Sequence, residues 1–443
     1  MSLSEHIADF VVGYTHEEEP SESQTELLHT LKLSWLDWCA VALAGISEPV
    51  SCIVREQALA DSGVEHCNVF GTSQKLPMKV AALVNGTVSH ALDYDDTHFA
   101  HVGHTSVVVF SSVLSIAQAQ GSSGRELLDA AFIGSEVTCH VGAWLGRSHY
   151  QAGFHQTATA GTFGATAAAC RLLKLNHRQV RHALGLAATR ASGLTSQFGT
   201  MSKPYHAGMA ASNGVEVALL AGRGFTANID GIECSRGFAE THHVEQEDAE
   251  PARALSGGPY VFNAVQHKFH ACCHGLHASV EALQYLKDTQ GLQASDVNSI
   301  TVKTNPRWLK VCNVAEPASA LESKFSYKHL CALVFSDYDT SALDTYSDER
   351  CMDESLQRIR SLTDVEADDA IPDTASQVVV QCADGSVYEA RYDLADILPM
   401  QTREQRVLAK ACVLLGEQKT ARIWSFINNM DMALAPDLER LFD

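Results

Sequence analysis

Thr157-Ala-Thr-Ala-Gly-Thr-Phe-Gly-Ala-Thr-Ala-Ala-Ala-Cys-Arg-Leu-Leu173 carries a single charge, Arg171, close to its end. A helix of this composition has no polar face and has to be covered on every side, which predicts a central helix in a mainly helical protein. Working outward, Ala210 to Leu220 has the same character. Glu26 to Cys39 and Glu126 to Val137 place apolar residues three and four positions apart, as packed helices do. Glycines 161, 164, 193, 199, 208 and 214 let helices or backbone approach closely.

After about residue 266 the texture changes. Ser299-Ile-Thr-Val-Lys-Thr304 reads as a strand, and Gln377 to Tyr392 reads as two strands joined across an Asp384-Gly385 turn. Helical segments lie around His277 to Leu286 and Leu330 to Val334, and the pattern is helical again from Thr402. The expectation is a mainly α protein with a large all-helical domain, 1–265 plus 402–443, and a smaller α/β domain, 266–401. The acidic stretch from Asp364 to Asp373 reads as a solvated loop.

With 443 residues the chain exceeds one typical core, and 46% hydrophobic with 19% charged residues describes an ordinary globular protein. A formal charge of -21 with no basic stripe argues against nucleic acid and against an anionic membrane as partners. An anionic substrate then needs a local island of His and Lys, to which the 21 histidines contribute. The 13 cysteines are scattered without framework spacing and read as reduced thiols. The first residues lack the basic start and apolar core of a signal peptide, and no long apolar run reads as a membrane span, so a cytoplasmic protein is expected.

Four stretches carry residues that move protons or hold ions. His90 to Ser106 packs His90, His98, His101 and His104 with Asp93, Asp95 and Asp96 between two apolar flanks. A divalent metal suits carboxylate and imidazole, but the three-residue histidine spacing sweeps around a helix and no well-specified zinc signature is present. The plainer alternative is that Asp95 or Asp96 caps a helix and some of the histidines are exposed. In Gly153 to Ala165, His155 precedes an apolar helix whose free N–H groups suit an anion, with Thr157 as a simple cap the alternative. Lys203 stands in Gly199-Thr-Met-Ser-Lys-Pro-Tyr-His-Ala-Gly208 as a carboxylate clamp, a proton donor, or a surface loop lysine. In Lys268 to Ser279, His277 reads as an acid/base at a helix start, with Cys272 and Cys273 as packing.

Taken in order, Val84 to Thr97, His104-Thr-Ser106, Gly153 to Ala165, Ser202 to Gly208, Arg223-Gly-Phe-Thr226, Ala271 to His277 and Lys324-Phe-Ser326 resemble the MmgE/PrpD family over residues from about 10 to 400. The resemblance implies a large helical domain, a smaller α/β domain, a homodimer, and enzymes of polycarboxylates that require no cofactor and no metal. Family activities are 2-methylcitrate dehydration, cis-aconitate decarboxylation and iminodisuccinate epimerisation. Decarboxylase site residues transfer onto Asp93, Thr97, His104, His155, Lys203 and His277, with His274 beside the last as a substrate contact. The His155 block and the Ala271 to Ser279 segment look closer to the decarboxylase and epimerase branches than to the dehydratases. Gln156 in place of a common proline, and His329 near a frequent tyrosine, match neither branch cleanly.

The expectation is a cofactor-independent lyase of a di- or tricarboxylic acid, with an isomerase acting at one α-carbon as the alternative. A binding protein without catalysis and a metal-dependent hydrolase are readings from other classes. Lys203 and His155 are expected on substrate carboxylates and His104 and His277 in proton transfer. Asp93 orients or charges a histidine, Thr97 hydrogen-bonds substrate, and His98 and His101 are bystanders.

Overall fold

The computed structural model describes residues 2–15, 21–61, 63–242, 255 and 259–442. The chain forms two compact units, one of residues 1–267 and 407–443 and the other of residues 268–406.

The first unit begins with α1 (Leu3–Gly13), α2 (Glu22–Ala44) and α3 (Pro49–Ala60), then a small antiparallel hairpin of β1 (Cys67–Val69) and β2 (Thr72–Leu76). Helices α4 (Met78–Ser89), α5 (Ser106–Gln120), α6 (Gly124–Gln151), α7 (Gln156–Leu172), α8 (His177–Ala187) and α9 (Ser202–Gly222) follow. Helix starts are written in the sequence: Ser21 with Gln24, Ser123 with Glu126 and Asn176 with Gln179 form reciprocal capping boxes. The small-residue run from Thr157 forms α7, which packs against α1, α5, α6, α8 and α9. Residues Gln156 to Cys170 of α7 are all buried, as a helix without a polar face requires. Around α2 and α5 the core is aromatic, with Trp35 stacked on Phe110 at 4.2 Å between ring centroids and Trp38 edge-on to both.

Helices α4 and α9 cross closely. Gly86 of α4 meets Gly208 of α9, and a β-carbon on Gly208 would lie 2.2 Å from the Leu83 carbonyl oxygen and from Thr87 Oγ1. Two glycines therefore let these helices touch backbone to backbone, which brings the start of α9 close to the end of α4.

Among the described residues no single helix is long and apolar enough to cross a membrane. Helices α2 and α3 pass that test only as a pair bent by 87°, and α2 is buried from Thr30 to Leu43.

The second unit holds α10 (His277–Gln290), β3 (Val297–Thr304), α11 (Tyr327–Phe335), α12 (Glu354–Ser361), β4 (Thr363–Ala367), β5 (Ala375–Cys382) and β6 (Val387–Asp393). The sheet order is β4-β3-β5-β6, parallel between β3 and β4 and antiparallel elsewhere, with Ile300 opposite Val380 and Val302 opposite Val378. The expected Asp384-Gly385 turn joins β5 to β6, and Gly385 takes a φ of 88°. Helix α10 covers β5 and β6. Helix α13 (Met400–Leu415) then carries the chain back to the first unit, which ends in α14 (Glu417–Asn428) and short turns.

The acidic stretch is not all loop: Thr363–Ala367 is β4, an edge strand with exposed Asp364 and Glu366. Carboxylates on the open margin of a sheet discourage further strand pairing, so acidic composition and strand coexist there. The 13 cysteines are all free.

Candidate active site

The apolar helix α4 ends at His90, and the chain then runs through Asp93 and Asp95 to His104 before α5 begins. That connection folds back on itself. Asp93 takes a left-handed φ of 52° and Val102 one of 55°, while Thr97 pairs antiparallel with Gln266 through both backbone bonds, at 2.8 and 2.7 Å. Helix α7 closes one side: His104 donates its backbone N–H to Thr157 Oγ1 at 3.0 Å, and His155 is the residue that caps α7. Helix α9 closes another, with Lys203 in its first turn and His206 three residues on, hence on the same face.

The side chains form one continuous chain of charge-assisted contacts. Lys203 Nζ lies 2.6 Å from Asp93 Oδ2, and Asp93 Oδ1 lies 3.2 Å from His104 Nε2. On its other side His104 presents Nδ1 to Asp95 Oδ2 at 2.7 Å, and Asp95 Oδ1 accepts from His90 Nδ1 at 2.8 Å. His155 stacks over His90 with centroids 6.1 Å apart and shares a 3.2 Å contact between its Nδ1 and that of His206. Phe198 packs edge-on to His155 and lies 5.1 Å from the Lys203 ammonium. His90, Asp95, His104 and His155 are buried, whereas the Asp93 side chain is 34% exposed and marks the open side.

Proton affinities along this chain diverge. Burial works to lower His104, but Asp95 and Asp93 override it and raise His104 above its ordinary value, which favours its imidazolium form. Burial pushes His155 well below its ordinary value, helped by Lys203, His90, His206 and His104. His90 is lowered by burial too, against the pull of Asp95. Burial favours a neutral Asp95, yet His104 and His90 hold its carboxyl far below the usual range. Groups pushed apart in this way divide the work of acid and of neutral hydrogen-bonding partner.

His90, Asp93, Asp95 and His104 also offer ligand atoms within 4.8 Å of one another, the spacing that a divalent cation bridges. Facing atoms of the set stand 2.7 to 3.2 Å apart as ion-pair contacts, and the Lys203 ammonium shares Asp93, an arrangement that suits acid/base work.

Asp93, His104, His155 and Lys203 are thus brought together, with Thr97 half-buried in the same connection. Lys203 is a helical residue with its side chain 15% exposed, not a surface loop lysine. The cap position of α5 is Thr105, and Asp96, from further back in the connection, accepts from the N–H and hydroxyl of Ser106 in the first turn. Thr157 does not cap α7; its hydroxyl holds His104 instead. The expectation of exposed histidines is wrong. His98 is buried and contacts the Val261 carbonyl at 2.9 Å, and His101 is enclosed where Gly103 and Gly142 leave room for its ring, its pKa lowered to about 3 by burial.

His277 and His274 belong to the second unit. His277 opens α10, is buried, and has ring neighbours His270 at 4.9 Å and His274 at 4.6 Å. Burial, then His274, His270 and Lys268, push it well below the ordinary histidine range. His270 is fixed between Thr340 at 2.8 Å and Glu281 at 3.1 Å.

Residue reasoning missed His90, Asp95 and His206 as site members. The five-residue interval from His90 to Asp95 and the three-residue interval from Lys203 to His206 are the signals that were present, since the first spans one turn-forming connection and the second one helix face.

These features define a class: a two-unit, mainly helical protein with a lysine, two carboxylates and several histidines gathered where three helix ends meet. Residues 5–250 match the MmgE/PrpD N-terminal domain and residues 270–416 the MmgE/PrpD C-terminal domain, and the chain belongs to the MmgE/PrpD family. It is 26% identical to the cis-aconitate decarboxylase of Aspergillus terreus over 94% of this chain and 92% of that one. It is 30% identical to the cis-aconitate decarboxylase-like protein oryM of Aspergillus oryzae over 62% of this chain, spanning 60% of that relative's length. With the human cis-aconitate decarboxylase it shares 29% identity over 54% of this chain and 49% of the other.

Proposed function

We propose that this chain is a lyase that decarboxylates a cis-aconitate-like polycarboxylic acid without a cofactor. The observation that carries the reading is His104 held between two carboxylates, which raise its proton affinity, beside the Lys203 ammonium, in a family whose relatives are named for that decarboxylation.

Loss of CO2 breaks one carbon–carbon bond and leaves its electron pair on carbon next to a second carboxylate. One proton must then arrive at carbon. In this reading Lys203 leaves Asp93 for a substrate carboxylate and supplies the charge that offsets the chain's net -21 locally. His155, being neutral, meets a carboxylate as a hydrogen-bond donor, and the positive end of the α7 dipole, at which His155 stands, adds to the anion's reception. His104 delivers the proton through Nε2, the nitrogen that faces Asp93 on the open side. A well-placed donor toward developing negative charge is worth about 3 kcal/mol in comparable sites. Thr97 hydrogen-bonds the substrate, and a homodimer is the assembly that accompanies this reading.

The test is NMR in deuterated water against cis-aconitate, 2-methylcitrate and iminodisuccinate. The reading predicts CO2 and a product with one deuterium bound to carbon from the first. Loss of water from the second, or exchange without net product in the third, in place of that result would refute it.

A further inference from the structure

His90 is given no task by the chemistry above, yet its environment is specific. It closes the C-terminus of α4, its side chain is fully enclosed, and its Nδ1 contacts Asp95 at 2.8 Å. A neutral imidazole facing a carboxylate must place its proton on the facing nitrogen, so Nδ1–H is the donor and Nε2 carries a bare lone pair. That Nε2 is buried and has no hydrogen-bond partner among the described residues. An orphaned buried nitrogen is costly, and an aliphatic side chain would pack there without it.

We propose that His90 is a positioning residue that acts through Asp95: it holds one carboxylate oxygen so that the other takes the Nδ1 proton of His104, leaving Nε2 as the nitrogen that delivers. The geometry supports each link. Asp95 is 1% exposed and meets both rings, one per oxygen: Oδ1 accepts from His90 Nδ1 at 2.8 Å and Oδ2 lies 2.7 Å from His104 Nδ1 as an ion pair, and the two rings stand edge to face with centroids 4.5 Å apart. Without the His90 bond the carboxylate can rotate, and the imidazolium loses its fixed direction. The inference rests on the reading of His104 as the acid and names what keeps it in that role.

The charged and titratable groups around the pair come from three elements: Asp93, Asp95 and His101 from the connection after α4, His155 from the start of α7, and Lys203 from α9. Of these, Asp95 touches both histidines. Removing His90's hydrogen bond concentrates negative charge on Asp95, which then holds the His104 proton more tightly, and the His104 midpoint moves to higher pH.

The experiment compares His90→Leu and His90→Asn in the full chain, the amide of the second taking over the donor. Histidine-resolved exchange of the ring C2 hydrogen, read by mass spectrometry, follows His104 with no substrate present. The expected result is an upward shift of the His104 midpoint in His90→Leu, reversed in His90→Asn. Alongside it, kcat on cis-aconitate falls about tenfold in the first variant with KM little changed, and recovers in the second. An unmoved His104 midpoint in His90→Leu, or a shift that His90→Asn fails to reverse, overturns the inference. The predicted midpoint shifts in a protein that turns over no polycarboxylate would sustain it and defeat the functional reading instead.

Discussion

Asp93 decides how the site rests. Its two oxygens hold Lys203 and His104, which are the groups a substrate carboxylate would seek, so the resting site is internally neutralised. Asp93→Asn should therefore bind a nonreactive tricarboxylate more tightly by calorimetry, while turnover falls because His104 loses one of the two carboxylates that raise it. Affinity unchanged or weakened would contradict that role. The raised His104 also fixes the sign of the pH dependence: as an acid it works while protonated, so kcat declines as pH rises through its raised value. A pH–rate profile rising into alkaline solution would contradict it. At this scale the sequence showed which residue types were gathered, because His, Asp and Lys are rare next to apolar helices. It did not show who pairs with whom. That Asp95 serves both His90 and His104, and that Thr157 receives the His104 N–H, follow from the fold of the connection and have no periodic signal.

Helices α7 and α9 were legible because a run of small and apolar residues can only be an interior element. Strand β4 was not, since exposed carboxylates on an edge strand look like a solvated loop, and the β1–β2 hairpin is too short to announce itself. Between the elements, the α4–α9 crossing at Gly86 and Gly208 sets the distance from Asp93 to Lys203. Gly208→Ala forces a β-carbon onto the Leu83 carbonyl, so the helices must part. The expected cost is about 1–3 kcal/mol of stability, together with a loss of activity larger than the loss of fold. Thermal denaturation and kcat/KM measured on one preparation check this, and full activity in Gly208→Ala would show that the crossing does not set the site.

Across the whole molecule the histidines couple stability to pH. His90, His98, His101, His149, His155, His206, His277 and His329 are all lowered, chiefly by burial, with His101 at about 3 and His149 and His329 at about 4. Their folded values lie below the unfolded 6.5, so the unfolded chain binds more protons below that pH and stability falls as pH falls from 6.5 toward 4. Each contributes up to about 1.4 kcal/mol per pH unit within its window. Asp37, raised to about 7 by burial against the pull of Lys410, works the other way, as do Asp96 and His104, but they are outnumbered. The urea midpoint should drop clearly between pH 7 and pH 5, and a flat or rising profile would contradict this count.

We propose that this site removes CO2 from a polycarboxylate using Lys203 and His104. The most direct measurement is CO2 release from carboxyl-labelled cis-aconitate by the wild type, Lys203→Ala and His104→Ala. The wild type is expected to release CO2, and each variant to lose at least about a hundredfold of that rate. No release by the wild type, or near-normal release by either variant, would contradict it.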